Sequence, residues 1–158
     1  MKLLHKNLEK DGAGSIVMVP EETEDMWHVF NLIAEGDSVR ASTVRKVTSE
    51  SNIGVRTAEK VRTTLTVRVE AVDESCFDTQ SCMLRLKGRN VEENPHVKMG
   101  AFHTIELELN RKFELRKPMW DSIHLDRIEQ ATDPGRSADL AAVIMQEGLA
   151  QVTIMKLI

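Results

Sequence analysis

Apolar and polar residues alternate with period two through much of this chain, most persistently between Val39 and Val69. In the run VRASTVRKVTSESNIGVRTAEKVRTTLTVRV, Val39, Ala41, Thr43 and Val47 fall on one parity of a first arm, and Val61, Thr63, Leu65, Val67 and Val69 on one parity of a second. Alternate side chains of a strand point to opposite faces, so the spacing predicts a long hairpin with one buried face and a loop holding Ser49, Ser51, Asn52 and Gly54. Met1 to Glu9 and Ser15 to Pro20 read as a shorter hairpin around Lys10-Asp11-Gly12-Ala13-Gly14. Further strands are expected at Cys82 to Gly88, Ala101 to Leu109 and Lys112 to Arg116, with the polar stretches Glu70 to Gln80 and Val91 to Pro95 as connections.

Two segments change period. After Pro20 and a run of acids, Met26, Phe30 and Ile33 recur at helical spacing up to Gly36, and beyond Pro118, Trp120, Ile123, Leu125 and Ile128 do the same up to about Ala131. Thr132-Asp133-Pro134-Gly135 is the strongest boundary signal. Past it, Ser137 to Glu147 reads as an apolar amphipathic helix closed by Gly148, and Leu149 to Ile158 as an apolar strand. One helix and one strand cannot bury that much apolar surface alone, so they are expected to open a second, incomplete α/β domain. The fold class is therefore mainly β with two flanking helices: a small, strongly bent, partly closed antiparallel barrel of about six strands, followed by one helix and one strand of that incomplete domain.

Composition narrows this picture. The 158 residues suffice for one core and fall short of two ordinary domains. Hydrophobic content of 41%, charged content of 29% and aromatic content of 4% with no Tyr point to a soluble globular chain with an aliphatic core and few platforms for stacking bases. No stretch reaches the roughly 20 apolar residues of a membrane span, and Met1 to Gly12 is too interrupted by charge to be a leader. Cys76 and Cys82 lack a CxxC partner, so reduced thiols in the cytosol are expected, without zinc.

Charge changes the picture most. The chain carries a formal net charge of −4, yet Arg40, Arg45, Lys46, Arg56, Lys60, Arg62 and Arg68 crowd onto the long hairpin, opposed there only by Glu50 and Glu59. Arg85 and Lys87 continue the basic outer parity on the next strand, and Arg89 and Lys98 lie in the connection after it. Such a ladder suits a polyanion, although a strand edge guarded by Lys and Arg has the same appearance. The second chemical candidate is the acidic run Glu21, Glu22, Glu24 and Asp25. Carboxylates three or four apart share a helix face and could hold a divalent cation, while acids in a first turn also complement the helix dipole. The five His residues show no ligand spacing, His103 falls on the inward parity of a strand, and phosphate-cradling GxGxxG and GxxxxGK[ST] runs are absent.

Several blocks carry a resemblance. MKLLHKNLEKDGAG, VPEETEDMWHVFNLI, GDSVRASTVRKV, VRTTLTVRVEAVD, RLKGRN, VKMGAFHTIELE, WDSIHLDRIEQATDP and SADLAAVIMQEGLAQV resemble, in register over nearly the whole chain, the Pelota family of ribosome-rescue factors, relatives of class I translation termination factors. The resemblance implies that residues 1–132 form an Sm-like amino-terminal domain and that 136–158 begin a central domain. It implies a cytoplasmic module that recognises the empty decoding site of stalled ribosomes in mRNA surveillance (no-go decay), with the stretches Arg45 to Arg62 and Lys87 to Lys98 reaching toward the mRNA channel. Arg40, Arg45, Lys46, Arg56, Lys60, Arg62, Arg68, Arg85, Lys87, Arg89 and Lys98 are then the expected RNA contacts, engaging phosphates without reading codons. Neither NIKS nor GGQ of the termination factors is present, so peptide release is not expected. The family's translational GTPase partner is expected to contact mainly domains outside this chain. A divalent-metal-dependent endoribonuclease using Glu21, Glu24 and Asp25 is the alternative; RNA binding itself requires no cofactor, no metal ligand is firmly assigned, and no membrane is involved.

Overall fold

The computed structural model describes residues 1–50, 56–73, 83–95, 97–133, 135 and 138–155, with the backbone alone for 45–50 and 56–60. The period-two segments pair as one antiparallel sheet. Its strands are β1 (Lys2–Leu8), β2 (Gly14–Val19), β3 (Ser38–Glu50), β4 (Arg56–Asp73), β5 (Met83–Asn90), β6 (Phe102–Glu108) and β7 (Phe113–Lys117), in the order β1-β2-β7-β3-β4-β5-β6. The sheet does not close, since β1 and β6 remain its two ends.

One parity of each central strand makes the core. Ile16 and Met18 of β2, Val39 and Ala41 of β3, Leu65, Val67 and Val69 of β4, Leu84 and Leu86 of β5, Ile105 and Leu107 of β6, and Phe113 and Leu115 of β7 are all buried. Two helices cover this face: α1 (Thr23–Leu32) contributes Met26, Val29 and Leu32, and α2 (Ser122–Thr132) contributes Ile128. Each fully buried Val or Leu side chain is worth about 1.5–3 kcal/mol, so the sheet-helix interface rather than helix propensity holds these short helices. Trp120 seals one corner, its indole N–H donating to the Gly14 carbonyl at 3.0 Å.

Gly88 has a specific task. It faces Val69, beside an irregularity in the β4–β5 ladder, and a Cβ there would lie 1.9 Å from the Arg68 carbonyl oxygen. Only glycine lets the two backbones approach so closely, which fixes where Arg68 and Arg89 meet. A buried ion pair fixes the other flank. Lys117, at the end of β7, reaches Asp37, in the turn between α1 and β3, with Nζ and Oδ2 2.5 Å apart and both side chains almost fully buried. The same Asp37 oxygen accepts the Ala34 N–H at 2.8 Å, and the ammonium stands 5.8 Å from the Trp120 ring centroid.

The structure departs from the sequence reading at several points. The helix expected over Ser137 to Glu147 is not what its described residues form: Leu140–Gln146 is strand β8, paired residue for residue with β9 (Leu149–Met155) across Glu147-Gly148. The segment is apolar on both parities, a pattern that does not separate helix from strand, and β-branched Val143 and Ile144, with Gly148 at φ 79° in the turn that follows, settle it toward a hairpin. The barrel of about six strands is a seven-stranded open sheet, β3 and β4 run further toward their connection than expected, and Arg56 opens β4 instead of lying in the loop. Arg89 lies within β5, which extends to Asn90. The Ser51 to Gly54 loop centre and the Glu74 to Cys82 connection lie outside the described residues.

Replacing Asp37 with Asn keeps an acceptor for Ala34 but leaves the Lys117 ammonium buried and uncompensated. Asp37→Asn is expected to lower the unfolding free energy by about 3–5 kcal/mol, and adding Lys117→Met to recover most of that loss, both read from urea denaturation.

Candidate nucleic-acid interface

The β3–β4 ladder runs without a break from Ser38 opposite Arg68 to Glu50 opposite Arg56. β7 pairs with β3 only from Ser38 to Ala41, and β5 pairs with β4 only from Val67 to Asp73. Between these limits, residues Ser42–Glu50 and Arg56–Thr66 pair only with each other among the described strands, as a two-stranded arm about 30 Å long at ordinary strand rise.

Register sorts the cations of this arm. Arg40, Lys46, Arg56, Lys60, Arg62 and Arg68 all occupy the even set, opposite Thr66, Lys60, Glu50, Lys46, Val44 and Ser38 respectively. Arg45 does not belong to that set: it pairs with Val61, in the odd set that carries Val39, Ala41 and Leu65 into the core. The sequence reading placed Arg45 and Lys46 together on the outer face, and the backbone register puts them in different sets, Arg45 opposite Val61 and Lys46 opposite Lys60. The side chains of Arg45, Lys46, Arg56 and Lys60 lie outside the described residues. Arg40, Arg62 and Arg68 are exposed, and neither Arg62 nor Arg68 makes an ion pair with a described residue.

On β5, Arg85 and Arg89 are exposed and Lys87 is half-buried, and all three are paired. Arg85 meets Glu106 of β6 at 3.1 Å, Lys87 meets Asp73 of β4 at 3.3 Å, and Arg89 meets Glu70 of β4 at 2.8 Å. The acidic outer parity of β6 thus answers part of the basic parity of β5. These pairs are open to water, where each is worth about 0.2–1 kcal/mol, so an incoming phosphate can replace the carboxylate at little cost. Lys98 is exposed in the loop before β6.

β7 adds charge that the sequence reading did not single out. Arg116 faces Ser38 and donates to Glu114 at 2.8 Å, with Glu92 3.5 Å away. Burial pulls the Glu114 carboxyl upward, but the Arg116 hydrogen bond and charge, the Ser15 hydroxyl and the Arg40 charge outweigh it and hold Glu114 below its ordinary value. The alternation of charges on Lys112 to Arg116 was the available signal for this strand pair.

The acidic candidates do other things. Asp25 is buried, and its Oδ2 accepts the N–H groups of Glu21 at 2.8 Å and Glu22 at 3.0 Å while standing 2.8 Å from the Met1 amino group. It is the returning half of a capping box with Glu22 at the start of α1. Glu21 and Glu24 are exposed in or beside the first turn. Among the described residues no three His, Cys, Asp or Glu side chains come together so as to hold a metal ion. Asp25 and Glu24 instead face His28, whose pKa is lowered first by burial and then by the Arg127 charge, against the raising influence of those two carboxylates.

Residues 1–132 match the Pelota N-terminal domain. The Drosophila melanogaster protein named Protein pelota is 63% identical over 155 residues, covering 98% of this chain and 38% of the fly protein. Among solved structures, Saccharomyces cerevisiae Dom34, described as a translation termination-like factor involved in RNA quality control pathways and interacting with Hbs1, superposes with a TM-score of 0.66 at 21% identity over 99% of this chain and 40% of its own. An archaeal Pelota described in a ribosome-bound state with ABCE1 gives 0.67 at 25% identity over 97% of this chain and 43% of its own. The mainly β, two-helix open sheet is thus the fold of the Pelota and Dom34 proteins. The chain belongs to the Pelota family, and it spans about two fifths of the length of the relatives it matches.

His28 supplies a pH test of the helix pair. Its folded pKa lies below the unfolded value, so between the two the unfolded chain binds more protons and stability rises with pH. Acidification from pH ~7 to pH ~5, across the ordinary His range, is expected to lower the melting temperature, and His28→Gln to flatten that part of the profile.

Proposed function

We propose that this chain is the ribosome- and RNA-engaging part of a Pelota-type rescue factor, which occupies the empty decoding site of a stalled ribosome during mRNA surveillance (no-go decay). The observation that carries the reading is the two-stranded arm bordered by exposed Arg40, Arg62 and Arg68 on a chain of net charge −4. A narrow arm with cations on one register set can enter a channel lined by phosphates, and such contacts grip backbone without distinguishing bases. Codon independence follows from contacts of that kind. The ribosome-bound state described for archaeal Pelota and the RNA quality control role described for yeast Dom34 support this reading.

In this reading residues 1–132 are an Sm-like amino-terminal domain, and the β8–β9 hairpin opens the central domain. Val143, Ile144, Met145, Leu149 and Val152 are exposed along that hairpin, more apolar surface than a two-stranded unit sustains without a cover. The translational GTPase partner that the family resemblance implies binds mainly outside this chain, and the interaction with Hbs1 described for yeast Dom34 supports a protein partner. The module acts in the cytoplasm and needs no cofactor to bind RNA.

Affinity for ribosomes or single-stranded RNA is expected to fall linearly in log–log form with salt, and Arg62→Glu with Arg68→Glu to weaken it about tenfold or more with an unchanged circular dichroism spectrum. Loss of the fold in that variant, or binding insensitive to salt, would sink the reading. Labelled RNA incubated with Mg²⁺ is expected to stay intact; cleavage abolished by Glu24→Gln would establish the endoribonuclease instead.

A further inference from the structure

Residues directly opposite one another in neighbouring strands share a face, so four registers define a line across the outer side of the sheet. Arg116 of β7 faces Ser38 of β3, Ser38 faces Arg68 of β4, Arg68 faces Arg89 of β5, and Arg89 faces Phe102 of β6. At ordinary strand spacing this line spans about 19 Å.

Two features of the line go unexplained by the fold itself. Arg68 and Arg89 stand directly opposite each other, a like-charge pairing that destabilises a sheet, and among the described residues the one carboxylate bound there, Glu70, is held by Arg89. The Gly88 contact with the Arg68 carbonyl fixes this juxtaposition, so the two strands cannot slide apart without losing their closest approach. Phe102 is 57% exposed, outside the buried core, in a chain with only 4% aromatic residues. Two guanidinium groups short of counter-charge, ending at a bare aromatic ring, match a phosphate backbone with an unpaired base beside it.

We propose that this line is a binding strip for single-stranded RNA that crosses the strands, with one base stacked on Phe102 and the adjoining phosphates held by Arg89 and Arg68. The strip rests on the RNA-binding reading above and adds a direction and an aromatic contact to it. The ring is usable only by a base whose face is free, which a duplex does not offer, and stacking accepts any of the four bases. Phosphate exchanges with Glu70 at Arg89, a swap of one anion for another at a solvent-open site. Exposed Lys98, in the loop leading into β6, adds positive charge near the Phe102 end.

The test is fluorescence anisotropy with a labelled uridine-rich single strand and with the same strand annealed to its complement, over a series of salt concentrations. Wild type is expected to prefer the single strand. Phe102→Ala and Phe102→Leu are each expected to weaken single-strand binding about five- to a hundredfold, with the salt slope unchanged. Arg68→Gln is expected to lower the slope by about 1, whereas Lys10→Gln, on the β1–β2 turn at the other end of the sheet, leaves it unchanged. Because Phe102 is exposed, its variants are expected to melt with the wild type. Binding of the Phe102 variants at wild-type strength, or full recovery by Leu, which has bulk but no ring face, overturns the strip while leaving RNA binding in place. A wild type that binds neither RNA overturns the RNA-binding reading and the strip together.

Discussion

The register of β3 against β4 is the constraint on which the rest depends. Ser38 opposite Arg68 sets the parity of every pair down to Glu50 opposite Arg56, so one choice buries Val39, Ala41, Leu65 and Val67 and turns Arg40, Arg62 and Arg68 outward. A shift of one residue would exchange the two sets, placing arginines against Leu84 and Phe113 and valines in water. The apolar core therefore specifies the cationic face. Two local devices keep the ladder in place: the Gly88 approach on the β5 side, and on the β7 side the buried Lys117–Asp37 pair, which holds the turn entering β3.

Electrostatics on the outer face is arranged by strand. β5 carries its cations with carboxylates supplied by β4 and β6, so the mutual repulsion of three neighbouring positive charges is partly offset within the sheet. On β4, Arg62 and Arg68 have no such partners among the described residues. Exposed pairs of about 0.2–1 kcal/mol are strong enough to quiet self-repulsion and too weak to compete with a polyanion that offers several phosphates at once. The overall charge of −4 then opposes nonspecific adhesion to nucleic acid, because the acids of α1 and α2 lie on the side of the sheet away from the cations.

Much of this was legible in the amino-acid pattern because period two is unambiguous when one face is buried and the other charged. Every strand of the main sheet and both helices were expected close to where they occur, and Glu21 to Asp25 was rightly placed at a helix start. The failures have physical causes. Leu140 to Gln146 is apolar on both parities, so it carries no period to read, and the pairing that makes it a strand comes from Leu149 to Met155. Arg45 and Lys46 were read together by proximity in sequence, and the β3–β4 register puts them in different sets. The carboxylates that meet Arg85, Lys87 and Arg89 come from other strands, and no local spacing announces a cross-strand ion pair. Asp37 and Lys117 are 80 positions apart, and only the β3–β7 pairing brings them together.

Asp25 shows how fold and chemistry compete for the same residue. Its carboxylate could have been read as half of a metal site, but one oxygen already serves the Glu21 and Glu22 N–H groups and the Met1 amino group. A catalytic carboxylate must be free to bind metal or move a proton, and taking Asp25 for that role would strip the first turn of α1 of its cap at a cost of about 1 kcal/mol before any chemistry began. Arg62 and Arg68 stand in the opposite position: the fold asks nothing of their charged ends among the described residues, and exposure leaves those ends available. Where a polar group is spent on structure and where it is left over is what separates the acidic end of α1 from the basic face of the sheet. That difference, more than the residue types themselves, directs the functional reading toward binding.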